Sequence, residues 1–100
     1  MSEKMTNERE GEILQAAVDR FGVEAQTDMM IEEASELTKA LLKFRRAGAT
    51  GTLDECDLDA VLEEMADCYI MLGQMCLLYG DPSEWEIAKL ERLEERLHEQ

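Results

Sequence analysis

Proline occurs once in this chain, at Pro82, and glycine six times, so there is little material for the many turns of an all-β protein. Aromatic residues make up only 5% of the sequence, whereas Leu, Met, Ala and Glu are plentiful, a balance that favours helices over strands. Histidine is confined to His98 and no C-x-x-C occurs, which removes the usual donor sets of a structural zinc site. Basic residues are scarce, 10 against 24 acidic, and the net charge of −14 disfavours nucleic-acid backbones and anionic membranes as partners. No apolar run approaches the roughly 18 residues of a spanning helix. The charged start MSEKMTNERE lacks the apolar core of a signal peptide. Three cysteines cannot all pair within one chain, and a reducing, cytoplasmic setting is the expectation.

What is present fits one domain over residues 1–100, with 1–7 a flexible N-terminus. The hydrophobic spacing predicts an all-α chain of four helices. The first covers about 8–21, where Ile13, Leu14, Ala17, Val18 and Phe21 recur at helical spacing before Gly22. A long second helix covers about 23–47, and 48–57 has loop composition. A third covers about 58–79 and stops at Gly80. Asp81-Pro82-Ser83-Glu84 then has the form of a helix start, with an Asp cap, Pro in the first turn and Glu at the third position. The last helix carries Ile87, Leu90, Leu93 and Leu97 on one side.

From Cys68 to Tyr79 the third helix is apolar nearly all round, broken only by Gly73 and Gln74. Such a helix needs cover on every side, so a dimer or higher homo-oligomer with this helix at the interface is expected. Cys68 and Cys76, inside this pattern, read as small buried hydrophobes.

Turning by about 100° per residue, Glu33 falls at the border of the second helix's apolar arc, with Glu36 about 60° to its other side. On the third helix Glu64 falls between Met71 and Met75, each about 20° away, and Asp67 stands about 60° off in the same sense. Each long helix thus offers two acids at i and i+3. Like charges at that spacing destabilise a helix, and burying an unpaired carboxylate costs more still. A hard divalent cation relieves both penalties, and Mg²⁺ suits an all-oxygen set that leaves room for water and phosphate. In this reading Glu33 and Glu64 are the inner pair, and Glu36 and Asp67 the outer.

The run Glu32-Glu33-Ala34-Ser35-Glu36 is an E-E-x-x-E and Glu64-Met65-Ala66-Asp67 an E-x-x-D, separated by 27 residues. With their surroundings, MIEEASEL and EEMADCYIMLGQ, these motifs resemble the MazG-like, all-α nucleoside triphosphate pyrophosphohydrolases over about residues 21–97. The resemblance implies a Mg²⁺-dependent hydrolase that converts an NTP or dNTP and water to the monophosphate and pyrophosphate, a metal-bound water attacking the α-phosphate. It also implies a dimer, or a tetramer built as a dimer of dimers, around a helical bundle. By motif position Glu33, Glu36, Glu64 and Asp67 become the Mg²⁺ ligands, with Mn²⁺ a substitute. Glu32 becomes the residue that orients the attacking water or holds a second ion. The chain departs from the MazG pattern at Gln74, seven residues after Asp67, where an Asn is usual. Gln74 is either a substrate contact or a polar bond between helices.

For the phosphates, Trp85, Lys89, Arg92 and Arg96 fall within about 60° of one another on the last helix, and Lys89 and Arg92 are the leading candidates. Their alternative is pairing with Glu91, Glu94 and Glu95. Lys39, Lys43 and Arg46 line the second helix beyond Glu36, and Lys43, nearest the acids in azimuth, is the third candidate. Phe21, Phe44 and Trp85 are the available stacking surfaces, each read first as core. A di-iron carboxylate bundle needs E-x-x-H on two helices, and no histidine follows either motif. A phosphoribosyl-ATP type of pyrophosphohydrolase and a non-enzymatic helical interaction module are the alternatives.

Overall fold

The computed structural model describes residues 5–99. Among them are three helices and no strand: α1 (Asn7–Thr50), α2 (Glu55–Tyr79) and α3 (Ser83–Leu97). The chain is therefore all-α. Its first element of 44 residues is two helical segments run together, interrupted at Gly22, whose backbone (φ 86, ψ 171) leaves helical geometry where the apolar spacing placed the end of the first helix. That corner of dihedral space is essentially reserved for glycine, so the chain bends where the apolar periodicity of its first segment ends. Straight, 44 residues of helix would extend about 66 Å, more than the 45 Å longest axis of the molecule. Residues 7–21 thus form an arm folded away from the line of residues 23–50.

Residues 1–4 of the expected flexible N-terminus lie outside the described residues. Thr6 and Asn7 belong to the helix start, with Thr6 Oγ1 accepting from the Arg9 amide at 3.1 Å. The expected loop of residues 48–57 is shorter than its composition suggested. Helix α1 runs through Gly48 and ends on Gly51, whose left-handed backbone (φ 73) lets its N–H reach the Ala47 carbonyl. Helix α2 begins early because Asp54 and Asp57 form a reciprocal cap. Asp54 accepts from the amides of Cys56 (2.9 Å) and Asp57 (3.3 Å), and the Asp54 amide donates to Asp57 Oδ2 at 3.1 Å. At α3, Asp81 accepts from the Ser83 amide and hydroxyl, while the predicted first-turn proline lies just before the helix. Those bonds to Ser83 hold the Asp81 carboxyl below its ordinary range.

Packing is concentrated in the hairpin of α1 and α2, and α3 packs on neither. Val61, Cys68 and Met71 are the buried apolar residues among those described. Beside them sits a buried polar pair: Gln26 Nε2 donates to Gln74 Oε1 at 2.7 Å, and Gln74 Nε2 turns to Met71 Sδ at 3.5 Å. Of the two roles open to Gln74, the structure shows the bond between helices. Thr27 and Tyr79 share a second hydroxyl bond at 2.6 Å near the same end. Gly73 allows a close approach to the arm, since a Cβ there would lie 2.7 Å from Leu14 Cδ1.

Much of the predicted apolar interior is uncovered. Tyr69, Ile70, Leu72, Leu77 and Tyr79 of α2 are exposed, as are Phe21 and Trp85, which the sequence reading placed in a core. Cys76 is exposed where burial was expected, and Cys68 is buried. The surface is 8543 Å², whereas a compact monomer of 11.4 kDa exposes about 5,800 Å². The radius of gyration of 17.0 Å also exceeds the roughly 13 Å of a compact chain this long. No helix among the described residues is long and apolar enough to cross a membrane.

The glutamine pair gives a direct test. Gln26→Ala leaves Gln74 buried without its partner and should destabilise the protein by about 1–3 kcal/mol in denaturant unfolding. Replacing both by leucine should restore most of that loss, because no orphaned polar group remains. Equal losses in the single and double variants would show that the bond contributes nothing.

Candidate metal centre

The acidic motifs meet midway along the α1–α2 hairpin. Glu33 on α1 and Glu64 and Asp67 on α2 each place one carboxylate oxygen within 4.8 Å of the others. All three are half-buried. Two of these acids lie one helical turn apart on α2, so i, i+3 spacing brings both to the seam that Glu33 meets from the opposite helix. Asp67, expected in the outer pair, therefore belongs to the inner cluster. Glu36 lies outside it, its side chain 43% exposed and bridged to Lys39 at 3.5 Å. Glu36 still acts on the cluster by raising the Glu64 carboxyl electrostatically. Glu32 is exposed on the turn beside Glu33 and acts on it in the same way.

The electrostatics are those of acids pressed together. Glu33 is pushed up from 4.5 to about 7, first by its hydrogen bond with Asp67, then by desolvation and by the charges of Asp67, Glu64 and Glu32. Desolvation is the main reason the Glu64 carboxyl is raised, with Asp67, Glu36 and Glu63 adding to it and a bond from Glu33 opposing it. Glu33 thus keeps its proton at pH values where an ordinary glutamate has lost it. Glu64 Oε2 is sealed from solvent and has no hydrogen-bond partner. A buried acceptor with nothing to accept from is costly, and among the described residues no cation pairs with the cluster it faces.

Beneath the cluster, Cys68 Sγ donates to the Glu33 backbone carbonyl at 3.4 Å. Burial, then the charges of Glu33, Glu64 and Asp67, raise its thiol, so Cys68 stays protonated and serves as a packing floor, not as a soft ligand. The sequence marked Cys68 as a buried hydrophobe, but nothing local showed that its sulfur would tie α2 to the Glu33 carbonyl of α1.

The basic candidates are spread more widely. Lys43 lines a cavity of about 400 Å³ at the turn between α1 and α2, with Arg46, Thr50, Thr52 and Asp57. Lys89 and Arg92 lie on α3, apart from the hairpin, and make no ion pair; among the described residues Lys39–Glu36 is the one present. Gln74 is committed to Gln26 and does not face open space. No family model, curated protein or solved structure matches this chain.

The donor set fits a hard divalent cation. Oxygens around one Mg²⁺ sit about 3–4 Å apart, given ligand distances near 2.1 Å. The cluster's 4.8 Å limit asks only for a small side-chain adjustment. The raised carboxyl predicts an unusual pH response. Folded, metal-free protein keeps a proton on Glu33 that the unfolded chain gives up between 4.5 and about 7. Stability from this group is full below 4.5 and is lost as pH rises through about 7. Metal-free melting temperature should therefore fall between about pH 5.5 and pH 8, while stabilisation by added Mg²⁺ should grow over that range as the carboxylates lose the competing proton. A melting temperature independent of both pH and Mg²⁺ would contradict the site.

Proposed function

We propose that the protein is a Mg²⁺-dependent nucleoside triphosphate pyrophosphohydrolase of the MazG-like type, cleaving an NTP or dNTP to the monophosphate and pyrophosphate. The observation that carries this reading is the converging triangle of Glu33, Glu64 and Asp67, with Glu64 Oε2 sealed and unpartnered. Three acids at one helix crossing are poor structural elements, and they become useful when a cation accompanies a polyanionic substrate. The E-E-x-x-E and E-x-x-D resemblance supplies the type of substrate and bond.

In this reading Glu33, Glu64 and Asp67 hold the ion directly, and Glu36 joins them by releasing Lys39. The ion supplies charge neutralisation on phosphate oxygens and lowers the pKa of water in its reach. Glu32, exposed beside Glu33, accepts a hydrogen bond from the attacking water and sets its direction toward the α-phosphorus. Binding a cation would require the proton on Glu33 to be given up to solvent, so that Glu33, Glu64 and Asp67 could all present carboxylate oxygens. Lys43 at the α1–α2 turn, and Lys89 and Arg92 on α3, are the candidate phosphate contacts of this reading.

The active species in this reading is a homo-oligomer. The surface in excess of a compact monomer is about 2,700 Å² per chain, so a dimer that buried all of it would remove about 5,400 Å² in total, at the upper end of obligate interfaces.

A panel of NTPs and dNTPs with Mg²⁺, scored for pyrophosphate and orthophosphate, tests the activity. Pyrophosphate from at least one nucleotide is the expected result. Orthophosphate alone would place cleavage at the wrong bond, and no product from any nucleotide would leave a helical interaction module. Glu64→Gln should lower turnover by about 10²-fold or more while the metal-free protein keeps or gains thermal stability, because a sealed charge is removed. Unfolding of that variant would make Glu64 a structural residue.

A further inference from the structure

The α1–α2 seam opens, one turn from the acids, into a cavity of about 380 Å³ lined by Phe21, Ala25, Gln26, Met29 and Met71. Four of these five side chains are apolar. An apolar cleft with a single fixed polar group is the usual make-up of a small-molecule site. Phe21 is 56% exposed and Met29 is 39% exposed, so both stand at the mouth, while Met71 is buried at the floor.

Gln26 is the polar exception, and only 7% of it is exposed. Its Nε2 donates to Gln74 Oε1 at 2.7 Å, and this bond fixes the orientation of the amide. Its Oε1 accepts from no group among the described residues, yet it is not sealed as Glu64 Oε2 is. The open side of that oxygen is the cavity that Gln26 lines. A nearly buried acceptor left free inside an apolar cleft is costly, and a ligand donor removes the cost.

The cavity also lies in line with the acids. Turning α1 by about 100° per residue from Glu33, Met29 and Ala25 fall at about −40° and −80°. Glu36 and Glu32 fall at about −60° and −100°, on the same strip of the helix. Met29 is about 6 Å of helix rise from Glu33, and Met71 is as far from Asp67. Both walls of the cavity are thus one turn from the carboxylates, a gap that a ribose spans between a base and its α-phosphate.

We propose that this cavity seats the base of the nucleotide and that Gln26 Oε1 accepts from an exocyclic amine on it, so that amino bases are preferred to their carbonyl counterparts. A base supplies flat faces for Phe21 and the two methionines together with one donor at its edge. A carbonyl at the same place sets two acceptors against each other inside the cleft. This proposal rests on the pyrophosphohydrolase reading and adds to it which part of the substrate is selected, and by which residues.

Two pairs of nucleotides test it, CTP against UTP and ATP against ITP, each exchanging one amine for a carbonyl. The phosphates are the same within a pair, so activity and base preference are read separately. In at least one pair the amino member should have kcat/KM about 10-fold or more above its partner. Phe21→Ala, at an exposed ring, should raise KM for the preferred nucleotide about 10-fold with little change in kcat. The double variant Gln26→Leu/Gln74→Leu leaves no orphaned amide and should abolish the preference. Active wild type without a preference in either pair would overturn the seat and leave the activity reading standing. A preference that survives in the double variant, or an unchanged KM in Phe21→Ala, would overturn it as well. Wild type that releases no pyrophosphate from any nucleotide would remove both proposals together.

Discussion

Three carboxyl groups converge where α1 and α2 cross, and among the described residues no cation pairs with them, so their mutual repulsion is borne by the packing around them and by the raised Glu33 carboxyl. Glu33, Glu64 and Asp67 could separate if the helices slid by a residue or turned by a fraction of a turn. What prevents this lies on either side of the cluster: the Cys68 thiol bonded to the Glu33 carbonyl, and the Gln26–Gln74 bond farther along the seam. A buried amide pair is a demanding register device, because every slipped arrangement strands two polar groups. The hairpin thus holds its acids in a strained proximity that ordinary apolar packing, indifferent to a small slide, would release.

The same hairpin is a poor globule. Its buried apolar residues are few, its far side is rich in exposed Leu, Ile and Tyr, and α3 stands apart with an uncovered leucine stripe. Exposed apolar surface on this scale is the physical basis of the proposed homo-oligomer. In that proposal site and assembly depend on one another, since the acids need helices held in register and the helices need cover.

The amino-acid pattern showed much of this and concealed particular parts. The all-α class followed from composition and spacing, and the helical wheel placed Glu33 and Glu64 facing the core because their neighbours were Leu and Met. It ranked Asp67 with Glu36 because azimuth on a single helix says nothing about which acid the opposing helix approaches. The distinction came from the crossing of α1 and α2. The early start of α2 was legible in principle, since Asp54 and Asp57 stand at capping-box spacing, but aspartate at both positions is easily read as loop. The break at Gly22 was legible as the end of the first helical segment, but the direction of the bend was not, because a glycine that bends a helix and one that ends it look alike in sequence. Exposure of Trp85, Phe21 and Cys76 was hidden for another reason. Apolar spacing marks residues suited to burial, and it does not say whether the fold of the chain buries them.

The bend at Gly22 carries a consequence for topology. The arm of residues 7–21 reaches α2 only because the chain reverses there, with Leu14 lying against Gly73. A backbone straightened at that point would form a rod of about 66 Å, and the arm could regain its place against Gly73 only on a neighbouring chain. Between a self-contained hairpin and an exchanged, interlocked pair there is one residue's choice of dihedral angles. Glycine permits both states, so closure and exchange would be set by concentration and by the history of folding, not by any change in the contacts themselves.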